Sequence, residues 1–208
     1  NIISAIEKGA GDAGRNSAYN ATRWVIDNNR FHGTTPSNNS QLYIRQNIVN
    51  ALNVHIIETC RKIENQTGRE IYINNIPINN YTNQTLFLND VNITQTDPFG
   101  FYVNVRAGIP IKVVQKDQVY EGTTPNITAY VSIEGLEDPY IWMNTKQRSS
   151  NVIYKYHYYI PAYGGYAAQY RFDDMVDAPN FRLQYLWDCL NGTGNPSGIS
   201  ERPYYFPD

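Results

Sequence analysis

Two long stretches of the chain repeat apolar or small residues at every third or fourth position, which is the period of an amphipathic helix. The first covers residues 1–28, and the second runs from about residue 41 to 65. Asn39 or Ser40 can cap the start of the second helix, and Gly68 can end it in a left-handed conformation. The sequence therefore predicts two leading helices joined by a turn-rich loop.

From residue 70 the period changes to two, which is typical of strands with one buried face. The apolar positions that alternate with polar ones are Ile71 and Ile73, Leu86 and Leu88, Phe101, Val103 and Val105, Ile109, Ile111 and Val113, and Ile127, Ala129, Val131 and Ile133. The turn at Ala107 and Gly108 predicts a hairpin between the strands on either side of it. Two further strands are predicted at residues 139–144 and 152–160.

One-faced strands between short turns predict an antiparallel sheet, and the two helices must cover its apolar face. A short C-terminal helix is expected at about residues 180–190. The predicted fold class is therefore α+β. We expect a helix-plus-sheet core over residues 1–145 and a Tyr-rich extension over residues 146–208 that packs on the same domain.

Charge excludes some classes of partner. Charged residues make up 17% of the chain, the net charge is −2, and no basic block is present. A surface that follows nucleic-acid phosphates or lipid headgroups therefore has no electrostatic basis. No stretch approaches 18 consecutive apolar residues, so a membrane contact is expected only through an anchor that precedes Asn1.

Asparagines in the N-glycosylation pattern Asn-x-Ser/Thr are unusually frequent. They are Asn20, Asn38, Asn65, Asn80, Asn83, Asn92, Asn126 and Asn191. With this Asn, Ser and Thr content, chance predicts about three such sequons. The excess over that number indicates an extracellular or cell-surface location. The high Asn content itself could instead reflect a compositional bias.

Two motifs resemble known ligand-binding patterns. Residues 9–14 match the Gly-x-Gly-x-x-Gly dinucleotide pattern, but they lie within a helical period and follow no strand. We expect these small residues to allow close helix packing instead. Asp173, Asp174 and Asp177 could hold a calcium ion, or could form a solvated turn in which Asp177 caps the next helix. We expect no cofactor.

Histidine and cysteine offer little for catalysis. His32, His55 and His157 have no second histidine at ligand spacing, so a zinc site is not expected. Cys60 and Cys189 could form one disulfide or remain two buried thiols.

Two binding or catalytic alternatives stay open. Tyr154, Tyr156 and Tyr158 share one strand face, and with Trp142 they could form an aromatic platform for sugars or a protein partner, or could simply pack in the core. The carboxylates Glu134, Glu137 and Asp138, or the Asp173–Asp174 pair, could serve a hydrolase, although the first three read as a polar turn.

The segment YVSIEGLEDPYIWMNT, residues 130–145, resembles archaeal surface proteins of the type IV pilin-like or membrane-anchored kind. The matching positions are Val131, Gly135, Leu136, Asp138 and Pro139, with a longer spacer after Val131 than the shortest form of the pattern. The resemblance implies an ectodomain of unknown activity, anchored by a hydrophobic segment ahead of the first helix. It implies no catalytic residue, and other surface proteins or glycans as partners.

Overall fold

The computed structural model describes residues 2–79, 81–97, 100–137, 139–144, 146–148 and 152. The helices are α1 (Ile2–Asn28), α2 (Ser40–Thr67) and α3 (Pro139–Asn144), and a short 3-10 helix covers Leu88–Asp90. The strands are β1 (Thr34–Thr35), β2 (Asn38–Asn39), β3 (Glu70–Ile73), β4 (Ile76–Pro77), β5 (Val91–Asp97), β6 (Gly100–Val105), β7 (Pro110–Gln115), β8 (Gln118–Thr123) and β9 (Ile127–Ser132). This confirms the α+β class with two long N-terminal helices. The predicted helix at residues 180–190 lies outside the described residues.

The chain divides into two compact units. The first contains Asn1–Ser17, Ile44–Thr94 and Tyr102–Val131, and the second contains Ala18–Tyr43, Gln95–Phe101 and the described residues from Ser132 onward. The predicted division of the chain at residue 145 falls close to the end of the described part, so it stays a prediction.

The ends of α2 follow the predicted capping chemistry. The side-chain oxygen Oδ1 of Asn39 accepts a hydrogen bond from the backbone N–H of Leu42 at 2.8 Å, which satisfies one of the free donors of the first turn. At the other end Gly68 has φ +70°, and its N–H donates to the carbonyl of Glu64 at 2.8 Å. Of the two predicted caps, Asn39 is therefore the one that acts.

The described residues form three sheets, where the sequence predicted one. Strands β1 and β2 form a two-stranded sheet, the second sheet has the order β4-β3-β7-β8, and the third has the order β5-β6-β9. The paired strands of the first two sheets run antiparallel throughout. Within the first unit, α1 packs directly on the third sheet, since a side chain at Gly14 would meet Val103 and Val131.

Three local predictions were wrong, and one strand was not predicted. The turn at Ala107–Gly108 connects two different sheets rather than forming a hairpin, because β6 pairs in the third sheet and β7 in the second. The true hairpin joins β7 to β8, and the sequence pattern missed β8 because every residue of this edge strand is exposed. Leu86 and Leu88 lie in a bend and a 3-10 helix, not a strand.

Residues 139–144 form α3, not the predicted strand. Pro139 is its first residue, a position where the missing N–H costs nothing and the fixed φ favours a helix. Of the strand predicted at residues 152–160, only Val152 is described, and it forms an isolated antiparallel bridge with Glu137.

The glycine-rich segment at residues 9–14 lies inside α1, as expected from its helical period. A Cβ atom on Gly9 would lie 2.6 Å from Cδ2 of His55 on α2, and one on Gly14 would lie 2.6 Å from Cγ2 of Val131. Gly11 has no such neighbour within 4 Å. The segment therefore permits close packing and has none of the strand context of a dinucleotide site.

Candidate functional site

The glycosylation sequons lie on the surface wherever the structure describes them. Asn80 and Asn191 fall outside the described residues. The remaining acceptors are all exposed, and they are Asn20, Asn38, Asn65, Asn83, Asn92 and Asn126. Exposure is the first requirement for a side chain that carries a bulky sugar.

Two of these sequons belong to the solvent side of the β5-β6-β9 sheet. Along β5 the buried residues Val91 and Ile93 alternate with exposed Asn92 and Thr94. We call the six residues Asn92, Thr94, Tyr102, Asn104, Thr128 and Tyr130 the outer face. None of these six carries a charge.

The polar residues of the outer face form a ladder across the sheet. Asn104, on β6, donates through Nδ2 to Oγ1 of Thr94 on β5 at 3.1 Å. Its Oδ1 accepts a hydrogen bond from Oγ1 of Thr128 on β9 at 3.2 Å. The Asn104 amide therefore hydrogen-bonds to Thr94 and Thr128, which are the threonines of the Asn92 and Asn126 sequons.

Beside this ladder lies an aromatic pair. The rings of Tyr102 and Tyr130 meet edge to face, with centroids 5.1 Å apart and planes at 61°. Tyr130 keeps 48% of its surface exposed. Such pairs add about 0.5–1.5 kcal/mol beyond the burial of their area. Residue patterns alone did not predict this pair, although the alternation in β6 and β9 places both residues on the polar side of their strands.

A second aromatic cluster holds the loop after α1. His32 is buried, and its ring stacks on Trp24 at 4.4 Å and lies 4.8 Å from the ring of Tyr43. Its Nε2 lies 3.2 Å from the carbonyl oxygen of Ala21. Burial lowers the pKa of His32, so the imidazole is neutral at neutral pH. The sequence placed this residue only in a loop, and its burial is a tertiary effect.

Buried polar side chains in the first unit serve the fold. Asn53 on α2 accepts from the backbone N–H groups of Thr85 and Leu86 at 2.9 and 2.8 Å and donates to the Leu86 carbonyl at 2.9 Å. Asp90 is buried and accepts from Arg106 Nε at 2.5 Å and from Asn74 Nδ2 at 3.0 Å. Because these bonds satisfy both groups internally, they act as structural links.

Two of the carboxylates proposed for a hydrolase, Glu134 and Glu137, lie in the described part of the chain. Glu137 accepts a hydrogen bond from Nη1 of Arg23 at 2.8 Å, and Nη2 of the same guanidinium contacts Asp27 at 2.6 Å. Glu134 is half-buried in the turn before it. Asp138, Asp173 and Asp174 lie outside the described residues, so the hydrolase alternative stays a prediction.

The metal and carbohydrate predictions are untested in the same way. Among the described residues, no three His, Cys, Asp or Glu side chains lie close enough to hold a metal ion. Asp173, Asp174 and Asp177 fall outside that part, as do His157, Tyr154, Tyr156 and Tyr158. Trp142 is described and lies half-buried on α3.

Cys60 is a free, buried thiol. Burial, and to a lesser degree the nearby Glu64 carboxylate, raises its pKa to about 12. A thiol with such a pKa is a poor nucleophile at neutral pH. Cys189 lies outside the described residues, and the pairing of the two cysteines stays a prediction.

Four of the five positions that carry the resemblance to archaeal surface proteins are described, and Asp138 lies outside the described residues. Val131 and Leu136 are buried, and Gly135 has φ +86°, a conformation that suits glycine. Pro139 begins α3. These residues shape a turn between β9 and α3 and bring no reactive group to it.

An open apolar groove lies between the start of α1 and the second sheet. It encloses about 270 Å³ and is lined chiefly by Ile2, Ile3, Ile111, Val113 and Tyr120. Glu121 also lines it, and Lys112 lies directly across from Glu121 in the β7–β8 register.

Comparison with known proteins identifies no relative. No protein-family model matches the chain, and no curated protein or solved structure is significantly similar to it. None of the helices in the described part is long and apolar enough to cross a membrane.

Proposed function

We propose that this chain is the non-enzymatic ectodomain of a surface-anchored protein, of a pilin-like or adhesive kind, located outside the cell. The observation that carries the proposal is the set of sequons. Eight occur where chance gives about three, and every one in the described residues is exposed. Exposed acceptors in this number are what glycosylation outside the cytoplasm would use.

The polar interior supports the same proposal. The hydrogen bonds of the buried Asn53 and Asp90 are made within the protein, and the raised pKa of Cys60 makes its thiol a poor nucleophile. Groups of this kind at an active site are usually left poised for a substrate. The resemblance of residues 130–145 adds an anchor ahead of α1 and other surface proteins or glycans as partners.

A labelling experiment on intact cells tests the location. A membrane-impermeant amine reagent is applied to the native cells, and the labelled lysines of this chain are identified by mass spectrometry. We expect modification of exposed lysines such as Lys62 and Lys116 to the same extent in intact and lysed cells. Labelling only after lysis, together with an unlabelled cytoplasmic control protein in intact cells, would contradict the proposal.

A further inference from the structure

We propose that N-linked glycans on Asn92 and Asn126 lie over the outer face and pack on the Tyr102–Tyr130 pair, so that this sheet face is covered by sugar and unavailable to protein partners. The inference rests on the proposed extracytoplasmic function, because it needs a compartment with N-glycosylation. Beyond that function, it specifies which sheet face the glycans cover and which side chains they contact.

Strand geometry directs the glycan of Asn92 over the outer face. Side chains two residues apart on a strand project from the same side of the sheet. Asn92 therefore projects on the side of Thr94, whose hydroxyl already bonds to Asn104 on this face. Asn126, one residue before β9, is exposed and precedes Thr128, the other partner of Asn104. The two acceptors thus lie on either side of the central strand.

The Tyr102–Tyr130 pair is the surface on which we expect the sugar ring to pack. Tyr130 leaves 48% of its surface open, and Tyr102 supports its ring from the side at 5.1 Å between centroids. One face of a pyranose ring is made of C–H groups, and packing it on an aromatic ring removes apolar area of both from water. The six residues of the outer face carry no charge, so a neutral sugar desolvates no ion there.

The attachment is a transfer of a glycosyl group to the asparagine amide. The Nδ2 atom forms a bond to the anomeric carbon of an oligosaccharide carried on a lipid phosphate, and an oligosaccharyltransferase catalyses the step. The bond between that carbon and the phosphate oxygen breaks, and the lipid phosphate leaves with the electron pair. The amide nitrogen gives up one proton, and no group is oxidised or reduced.

The second sheet supplies an internal control. None of the strands β3, β4, β7 and β8 contains an acceptor asparagine. Tyr120 on β8 is 57% exposed, close to the exposure of Tyr130. A glycan that packs on the outer face protects Tyr130 and leaves Tyr120 open.

The test is hydroxyl-radical labelling of the full chain, secreted with an added leader from a host that performs N-glycosylation. Tyr130 and Tyr120 are quantified by mass spectrometry before and after enzymatic removal of the glycans. We expect the glycans to lower the labelling of Tyr130 at least about twofold, since they are bulky and close, and to leave Tyr120 unchanged. In the double variant Asn92→Gln, Asn126→Gln, Tyr130 should be labelled at the deglycosylated level both before and after the enzyme treatment. In Asn65→Gln, at the end of α2, removal of the glycans should raise the labelling of Tyr130 as it does in the parent chain.

Absent occupancy at both Asn92 and Asn126, or equal labelling of Tyr130 with and without glycans, would overturn the inference. The added leader delivers the chain to the glycosylation machinery wherever the native protein resides. A failure here therefore leaves the proposed location standing, and a cytoplasmic native location would be seen separately in the intact-cell labelling.

Discussion

At the scale of single residues, the fold disfavours the protonated form of His32. Burial against Trp24 and Tyr43 lowers its pKa below the ordinary value of 6.5, so below that pH the unfolded chain takes up a proton more readily than the folded one. The free energy of unfolding then falls as the pH drops from 6.5 toward the lowered pKa, with a slope of at most about 1.4 kcal/mol per pH unit.

Urea titrations between pH 7 and 5 measure this slope. We expect His32→Phe to be less steeply destabilised by acid than the parent chain over this range. His55→Phe serves as the comparison, because the second histidine is only half-buried. A slope that survives unchanged in His32→Phe would show that another group titrates.

Asn53 is one of the α2 residues that bond the segment leading into β5, together with Arg45, which donates to the Leu88 and Val91 carbonyls. Replacing Asn53 with Ala would leave the buried backbone N–H groups of Thr85 and Leu86 without an acceptor. Each buried donor without a partner costs about 1–3 kcal/mol. We expect Asn53→Ala to lower the free energy of unfolding by about 3 kcal/mol in urea titrations. For Asn50→Ala, at an exposed position of the same helix, the free energy of unfolding should stay within about 0.5 kcal/mol of the parent value.

Cys60 provides a chemical check of burial. Because its pKa is raised to about 12 and its side chain is inaccessible, we expect no alkylation by iodoacetamide in the native protein at pH 8. The experiment uses a Cys189→Ser background, so that only one thiol is counted by mass. Full alkylation should follow addition of denaturant. Rapid native alkylation would mean that the surroundings of Cys60 open readily.

At the scale of elements, the packing of α1 depends on two glycines and not on the third. Gly14→Ala would place a Cβ atom 2.6 Å from Val131 and 2.9 Å from Val103, and overpacking of this kind costs about 1–3 kcal/mol. A Cβ atom on Gly11 has no neighbour within 4 Å, so Gly11→Ala should raise the free energy of unfolding by up to about 1 kcal/mol through helix propensity. Thermal unfolding of both variants makes the comparison, and equal stabilisation by the two would contradict the close approach of α1 to the sheet.

Elements with a strong local signal could be predicted from the sequence. Both long helices show a 3.6-residue period, and α2 has capping residues at its ends. In β6, from Phe101 onward, buried residues alternate with half-buried ones, and in β9 the outward residues Thr128 and Tyr130 are exposed. The edge strand β8 has no such alternation, because neither of its faces is buried. Strand pairing failed for another reason: which strands share a sheet depends on contacts far apart in the chain, and the turn at Ala107–Gly108 is compatible with either outcome.

The candidate site divides in the same way. The sequons are local patterns and were read directly, whereas the ladder through Asn104 and the Tyr102–Tyr130 pair exist only once β5, β6 and β9 lie side by side. The aromatic signal that the sequence did offer, at Tyr154, Tyr156 and Tyr158, falls outside the described residues. Pairing across a sheet is therefore the information that residue spacing alone could not supply.

For the whole molecule, the central claim is that the exposed sequons are real glycan acceptors on a protein that lives outside the cell. Peptide mapping of the protein purified from its native source tests this most directly. We expect glycan mass on most of the exposed acceptors, Asn20, Asn38, Asn65, Asn83, Asn92 and Asn126. Recovery of all six as unmodified asparagine would contradict the account.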